Sequence, residues 1–369
     1  MSDTTILQIA SGFKPSTDGV GDFARLLGEA LAKNHGIRTH FLVYRKPQQL
    51  IDPAEIAPNT ISYADGASPQ QFRSELQAVL ERDKFSSALL HYGSYAYSSD
   101  GKPYAFCEVM EELARRLALH VFFHEVYAEG PPWKRAFWTR GEQMRSVGLL
   151  QKIRKAGFTS NQRFVTQIEQ FSSNGSEILR IPIFSNVGEP SEISALSARK
   201  RQMVIFGQLP TRSRLYQKKE VLEMVCRSIG ADKIVDAGSG SGPEIPDFVA
   251  GTPVERMGWM SEAQLSQLLA ESLAGVIGYW PDVWAKSGVI ASYAAHGVLP
   301  VMVALEPRPV PKDEPRSYVD VPELESLRSP DGRIPEEVLQ QLVDRTHGFY
   351  VAHQSIERCA ETVASAIRA

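Results

Sequence analysis

Short apolar runs and amphipathic stretches succeed one another along the chain. Residues 6–10 read as a strand, and the Gly-, Pro- and Asp-rich SGFKPSTDGVGD follows as a connection. From Phe23 the period changes: Phe23, Leu26, Leu27 and Ala30 fall on one helical face, and the pattern stops near Gly36. Residues 39–44 supply the next strand. A helix over 68–81 begins with Ser68 able to cap and Pro69 in the first turn, where a missing N–H costs nothing. A strand over 87–92 runs into HYGSYAYSSDGKP, and residues 105–119 form a helix leading to VFFHEVY, a buried strand whose polar end carries His124 and Glu125. Thr159 and Ser160 mark another strand end.

The polar segment 189–201 reads as a linker, because MVIFGQLP then restarts the strand-and-loop pattern. A helix over 217–229, a strand over 233–237, the GSGSG turn, a helix over 262–270 and a strand over 274–279 continue it. The small-residue helix VIASYAAHG and the strand LPVMVAL follow. Residues 306–330, rich in Pro and charge, read as irregular, with helices over 335–345 and 354–367 beyond them. This rhythm predicts an α/β protein of two doubly wound domains, 1–188 and 202–353, with a ligand cleft between them. Residues 354–369 form a terminal helix that braces one domain or the other.

Composition narrows the class. The chain has 369 residues, 43% apolar and 22% charged, which suits packed cores rather than disorder. Forty basic against 43 acidic residues leave a net charge of −3, so nucleic acid is not an implied partner. Three scattered cysteines, Cys107, Cys226 and Cys359, fit a reducing compartment better than a disulfide framework. No basic leader precedes an apolar run and no membrane span is seen, so a cytoplasmic protein is expected. The stretch PPWKRAFWTR fits two arrangements: an aromatic face buried beneath a solvated basic one, or Trp133 and Trp138 held toward an acceptor or a membrane. In the second, Trp133, Lys134 and Arg135 would give weak peripheral membrane contact.

Taken in order, PSTDGVGDFARLLGEAL, FFHEVY, IPIFSNV, VIFGQLP and WAKSGVIASYAAHGVLPVMV resemble the GT-B glycosyltransferases. The likeness is to the large retaining bacterial family that uses sugar nucleotides, in a divergent KSG-containing branch, and it runs from about Pro15 to Leu305. It implies two facing Rossmann-like domains, the acceptor mainly on the first and a UDP- or GDP-hexose donor mainly on the second. Gly19, Val20 and Gly21 would then approach the donor, and His124 would contact the transferring sugar. Glu125, Tyr95 and Trp133 would lie on the acceptor side.

In the second domain Gln208 follows Gly207 where the family carries arginine, and Arg212 and Arg214 would reach back to the diphosphate instead. Lys286 would add positive charge, while Ser287 and the backbone of Ser287, Gly288 and Val289 would cradle phosphate at a helix start. The family's paired glutamates fall at Trp284 and Ser292 here, so neither carboxylate is kept. The implied reaction is retaining transfer of a hexosyl group to a hydroxyl of a carbohydrate or small glycoconjugate, without a metal ion, in carbohydrate biosynthesis. The alternative is a catalytically degenerate protein that binds a sugar nucleotide or glycan.

Overall fold

The computed structural model describes residues 4–13, 19–47, 49–64, 68–172, 177–240, 245–308 and 315–369. Pro15 to Asp18 of the first glycine loop, part of the GSGSG turn and part of the 306–330 excursion lie outside the described residues. The chain divides into two compact units, residues 1–182 with 356–369, and residues 183–355.

Unit 1 begins with β1 (Thr4–Ala10), α1 (Gly19–His35), β2 (Ile37–Val43), α2 (Pro53–Ile56) and β3 (Thr60–Tyr63). It continues through α3 (Pro69–Arg82), β4 (Ser87–Tyr92), α4 (Ser94–Tyr97), α5 (Tyr104–Ala114) and β5 (Ala118–Phe123). Then come α6 (Arg135–Ile153), β6 (Ala156–Thr159), α7 (Gln162–Glu169) and β7 (Ile178–Arg180). The seven strands form a parallel sheet in the order β3-β2-β1-β4-β5-β6-β7. Helices on both faces explain why β4 is buried along its whole length and reads as a continuous apolar run. The chain winds outward from β1 and then returns to β4 on β1's other side, so the strand order reverses between β1 and β4 and opens a crevice at their carboxyl ends.

Unit 2 repeats the plan with β8 (Lys200–Phe206), α8 (Leu209–Tyr216), α9 (Lys219–Ile229), β9 (Lys233–Ala237), β10 (Phe248–Val249) and β11 (Thr252–Gly258). There follow α10 (Glu262–Ala270), β12 (Ser272–Tyr279), α11 (Gly288–Ala295), β13 (Leu299–Ala304) and β14 (Val319–Asp320). Helices α12 (Val321–Ser326) and α13 (Glu336–His353) complete it. Its order is β10-β11-β9-β8-β12-β13-β14, parallel except for the β10–β11 pair, with the reversal between β8 and β12.

Several boundaries differ from the expected ones for local reasons. The helix expected over 105–119 stops at Ala114, where Arg116 and Leu117 both turn back to bond Leu113 O, and Ala118 already belongs to β5. The helix expected over 217–229 starts two residues later as α9, because Lys218 takes a non-helical ψ of 51°, and the separate helix α8 precedes it where a loop was expected. The segment expected as a linker, 189–201, packs into unit 2: Tyr350 Oη donates to Glu189 Oε1 (2.5 Å) and Leu196 N to Gln340 Oε1 (2.9 Å), while Ile183 N, just before it, donates to Ala285 O (3.0 Å).

The last helix, α14 (Ile356–Arg368), belongs to unit 1. It packs on α1, burying Cys359, Ala360, Val363 and Ala364, and Arg368 Nη2 donates to His35 O at the end of α1 (2.8 Å). Among the described residues no helix is long and apolar enough to cross a membrane.

Candidate active site: two strand-end sites

In unit 1 the carboxyl ends of β1, β4 and β5 gather the polar side chains. Gly21, in the first turn of α1, lies so close to the segment after β1 that a Cβ there would meet Gly12 O at 1.9 Å, so only glycine permits this approach. Gly19 has open space around it, and its freedom is not a packing requirement. His124 follows β5 and is 6% exposed; Glu125, next to it, is exposed and borders Gly93 after β4. Tyr95 sits in α4 with its hydroxyl 3.4 Å from Thr139 Oγ1.

The His124 ring is held between aromatic neighbours, edge-on to Phe23 (4.9 Å between centroids) and stacked on Phe122 (4.6 Å). Its Nε2 lies 3.1 Å from Nδ1 of the fully buried His91 of β4, and His91 Nε2 lies 2.7 Å from Gln8 Oε1 in β1. Gln8 Nε2 donates to Thr39 Oγ1 in β2 (3.0 Å). A chain of buried polar groups thus crosses four strands beneath the site. His91, Gln8 and Thr39 are not legible as site residues in the sequence, because their proximity to His124 follows from strand order.

The basic, aromatic segment does not bury its aromatic face. Trp133 is 83% and Trp138 74% exposed, with Trp138 Nε1 donating to Pro132 O (2.8 Å). Both tryptophans face outward, which departs from the buried-face arrangement.

Burial lowers the proton affinity of imidazoles on β2, β4 and β5: His91 is brought to about 3, and His40 and His120 each to about 4. These rings are neutral when folded, whereas in the unfolded chain they titrate near 6.5. Below that value the unfolded state binds more protons, so stability is complete above about pH 6.5 and falls toward about pH 4, by up to about 1.4 kcal/mol per pH unit for each ring. Urea midpoints for unit 1 are therefore expected to drop clearly between neutral pH and about pH 5; equal midpoints would contradict the burial of neutral histidines.

In unit 2 two glycine-containing strand ends and a helix start converge. Gly207 after β8 has φ +124° and Gly238 after β9 has φ +146°, and a Cβ on Gly238 would meet Gly207 O at 2.4 Å. A Cβ on Gly207 would sit 3.6 Å from Val289 Cγ2 at the start of α11. Ser287 is the N-cap of α11, its Oγ accepting from Ile290 N (3.3 Å). Gly288 borders Asn186, and Lys286, half-buried, precedes the cap. Gln208 caps α8 through its backbone alone, and Arg214 is exposed on that helix.

Arg212 departs from its expected role. It is 1% exposed, and its guanidinium donates to Gly207 O (2.9 Å), Ser239 O (2.7 Å) and Gly240 O (3.1 Å) as well as to the Asp236 carboxylate. Tyr216 Oη donates to the other oxygen of Asp236 (3.0 Å). With its nitrogens committed inside the protein, Arg212 shapes the loops after β8 and β9 and does not reach out to a phosphate. Burial pushes the Asp236 carboxyl up, with Arg212 opposing.

The positions where the resemblance implies glutamates are both interior: Trp284 packs against Tyr318 and Phe349, and Ser292 Oγ donates to Gly288 O (2.7 Å). Among the described residues no group of three or more His, Cys, Asp or Glu side chains is arranged to hold a metal ion.

No protein-family model matches this sequence, and no curated protein matches it. Solved structures do. An alpha-glucosyltransferase in complex with UDP and a 13-mer DNA containing a HMU base is 11% identical with a TM-score of 0.63, covering 99% of both chains. A structure titled trehalose-6-phosphate from E. coli, bound with UDP-2-fluoro glucose, is 9% identical with a TM-score of 0.58 over 99% of both chains. WaaG, a glycosyltransferase involved in lipopolysaccharide biosynthesis, is 11% identical with a TM-score of 0.56, covering 98% of this chain and 99% of its own. The chain has the GT-B fold, with two Rossmann-like domains.

Proposed function

We propose that the protein is a nucleotide-sugar-dependent glycosyltransferase that moves a hexosyl group, with retention, from a UDP- or GDP-hexose to a hydroxyl of a carbohydrate or small glycoconjugate. The observation that carries this reading is the strand-end cluster of unit 2, where Gly207 meets the Ser287-capped start of α11. Bare glycine backbone, a helix N-terminus and the adjacent Lys286 and Arg214 together suit a diphosphate. The UDP and UDP-2-fluoro glucose named for two of the structural neighbours support the same donor class.

In the reaction the bond from the anomeric carbon to the diphosphate oxygen breaks and a bond to the acceptor oxygen forms on the same face. Negative charge grows on the departing diphosphate, and Lys286, Arg214 and the backbone N–H groups of Ser287, Gly288 and Val289 stabilise it. The acceptor proton passes to a diphosphate oxygen, so no protein base is required. His124 orients the sugar, and Glu125, Tyr95 and the exposed Trp133 serve the acceptor. The work is placed in cytoplasmic carbohydrate biosynthesis.

The test is a mass-spectrometric screen of nucleotide sugars against pooled carbohydrates, small glycoconjugates and a duplex containing a HMU base, without added metal. A product heavier by one hexosyl residue supports transfer and names the donor. The interior Trp284 and Ser292, in place of carboxylates, favour a second reading, a protein that binds a sugar nucleotide without turnover. Tight donor binding with no product across the panel would decide for it.

A further inference from the structure

We infer that Gln8 and His91 are positioning residues for His124, setting which of its ring nitrogens carries the proton. The inference rests on the proposed role of His124 at the sugar, but its evidence is the buried chain itself.

The hydrogen bonds of that chain run in one direction. Gln8 donates from Nε2 to Thr39 Oγ1 (3.0 Å) and presents its Oε1 to His91 as an acceptor. His91 Nε2, 2.7 Å away, must then carry a proton. His91 is fully buried and neutral, so that proton is its only one and Nδ1 presents a lone pair. Nδ1 lies 3.1 Å from His124 Nε2, so His124 donates from Nε2, which makes Nδ1 the lone-pair nitrogen whenever the ring carries a single proton. The contacts with Phe23 and Phe122 fix the plane of the ring, and the polar chain fixes its tautomer. An imidazole at a sugar site gains from this because the wrong tautomer offers a donor where an acceptor is needed, or the reverse.

The inference is tested by long-range proton–nitrogen correlation spectra of the full chain labelled at histidine nitrogens, with resonances assigned through His124→Ala and His91→Gln. At neutral pH both His91 and His124 are expected to be protonated at Nε2 and bare at Nδ1. A His124 carrying its proton at Nδ1 would overturn the inference, and this wild-type spectrum decides even if the variants fail to fold. Gln8→Leu, which removes the acceptor while keeping the bulk, is expected to mix the tautomers of both rings. With it, turnover in the transfer assay should fall about tenfold while donor KM moves less than about twofold. An unchanged His124 tautomer in Gln8→Leu would also overturn it. Absence of transfer in the wild type would count against the proposed function alone, since the tautomers are read without turnover.

Discussion

Asp236→Ala is expected to destabilise unit 2 by about 3–5 kcal/mol, the cost of stranding a buried charge. Arg212 is 1% exposed and cannot swing out to water, so without its carboxylate partner the guanidinium keeps a desolvated charge, and Tyr216 Oη loses its acceptor. Asp236→Asn keeps an acceptor oxygen for Arg212 and turns its amide N–H toward Tyr216 Oη, whose hydroxyl oxygen can accept, so it should cost less. Replacing Arg212 and Asp236 together with apolar residues of similar volume should recover much of the loss, because the pair is costly to bury. Those double variants should still lose donor binding, since the carbonyls of Gly207, Ser239 and Gly240 would no longer be gathered by one guanidinium. Urea denaturation and nucleotide titration separate the two effects. If Asp236→Ala melts like the wild type, the pair does not hold the loops.

Lys286→Ala is expected to lower turnover by about a hundredfold or more, the scale on which removing one stabiliser of transition-state charge is felt. Lys286 precedes the cap of α11, and circular dichroism of the variant separates loss of its charge from loss of fold. Charge on the diphosphate is larger in the transition state than in the bound donor, so turnover should suffer more than donor KM. Ser287→Ala should behave differently, costing about 1 kcal/mol of stability through the lost cap at Ile290 N. Turnover unchanged in Lys286→Ala would remove the lysine from the proposed leaving-group site.

What could be read without coordinates was whatever local periodicity encodes. The strand at Ser87–Tyr92, the helix at Glu262–Ala270 and the Ser68–Pro69 helix start were all legible, because apolar spacing and capping chemistry act over a few residues. β11 was not: TPVERMG is largely exposed and presents no apolar face to recognise. Helix α8 was hidden because LPTRSRLY is short and mixes Pro, Thr and Ser with its apolar positions, so it reads as the loop after β8.

At the candidate site, glycine-rich strand ends and the KSG segment were visible in the letters, and their convergence was not. Arg212 looked like a ligand because a loop arginine near a glycine usually faces water. Its pairing with Asp236 joins α8 to the end of β9, the strand beside β8. His91 and His124 meet only because β4 and β5 lie side by side, with His91 level with Phe122, two residues before His124.

The return of α14 to unit 1 bears on how the chain is made. A ribosome releases β1 to β7 first, yet α1 lacks its covering helix until residues 356–369 emerge, after all of unit 2. Through that interval the α1 surface that later meets Cys359, Ala360, Val363 and Ala364 stays open to chaperones and to neighbouring nascent chains.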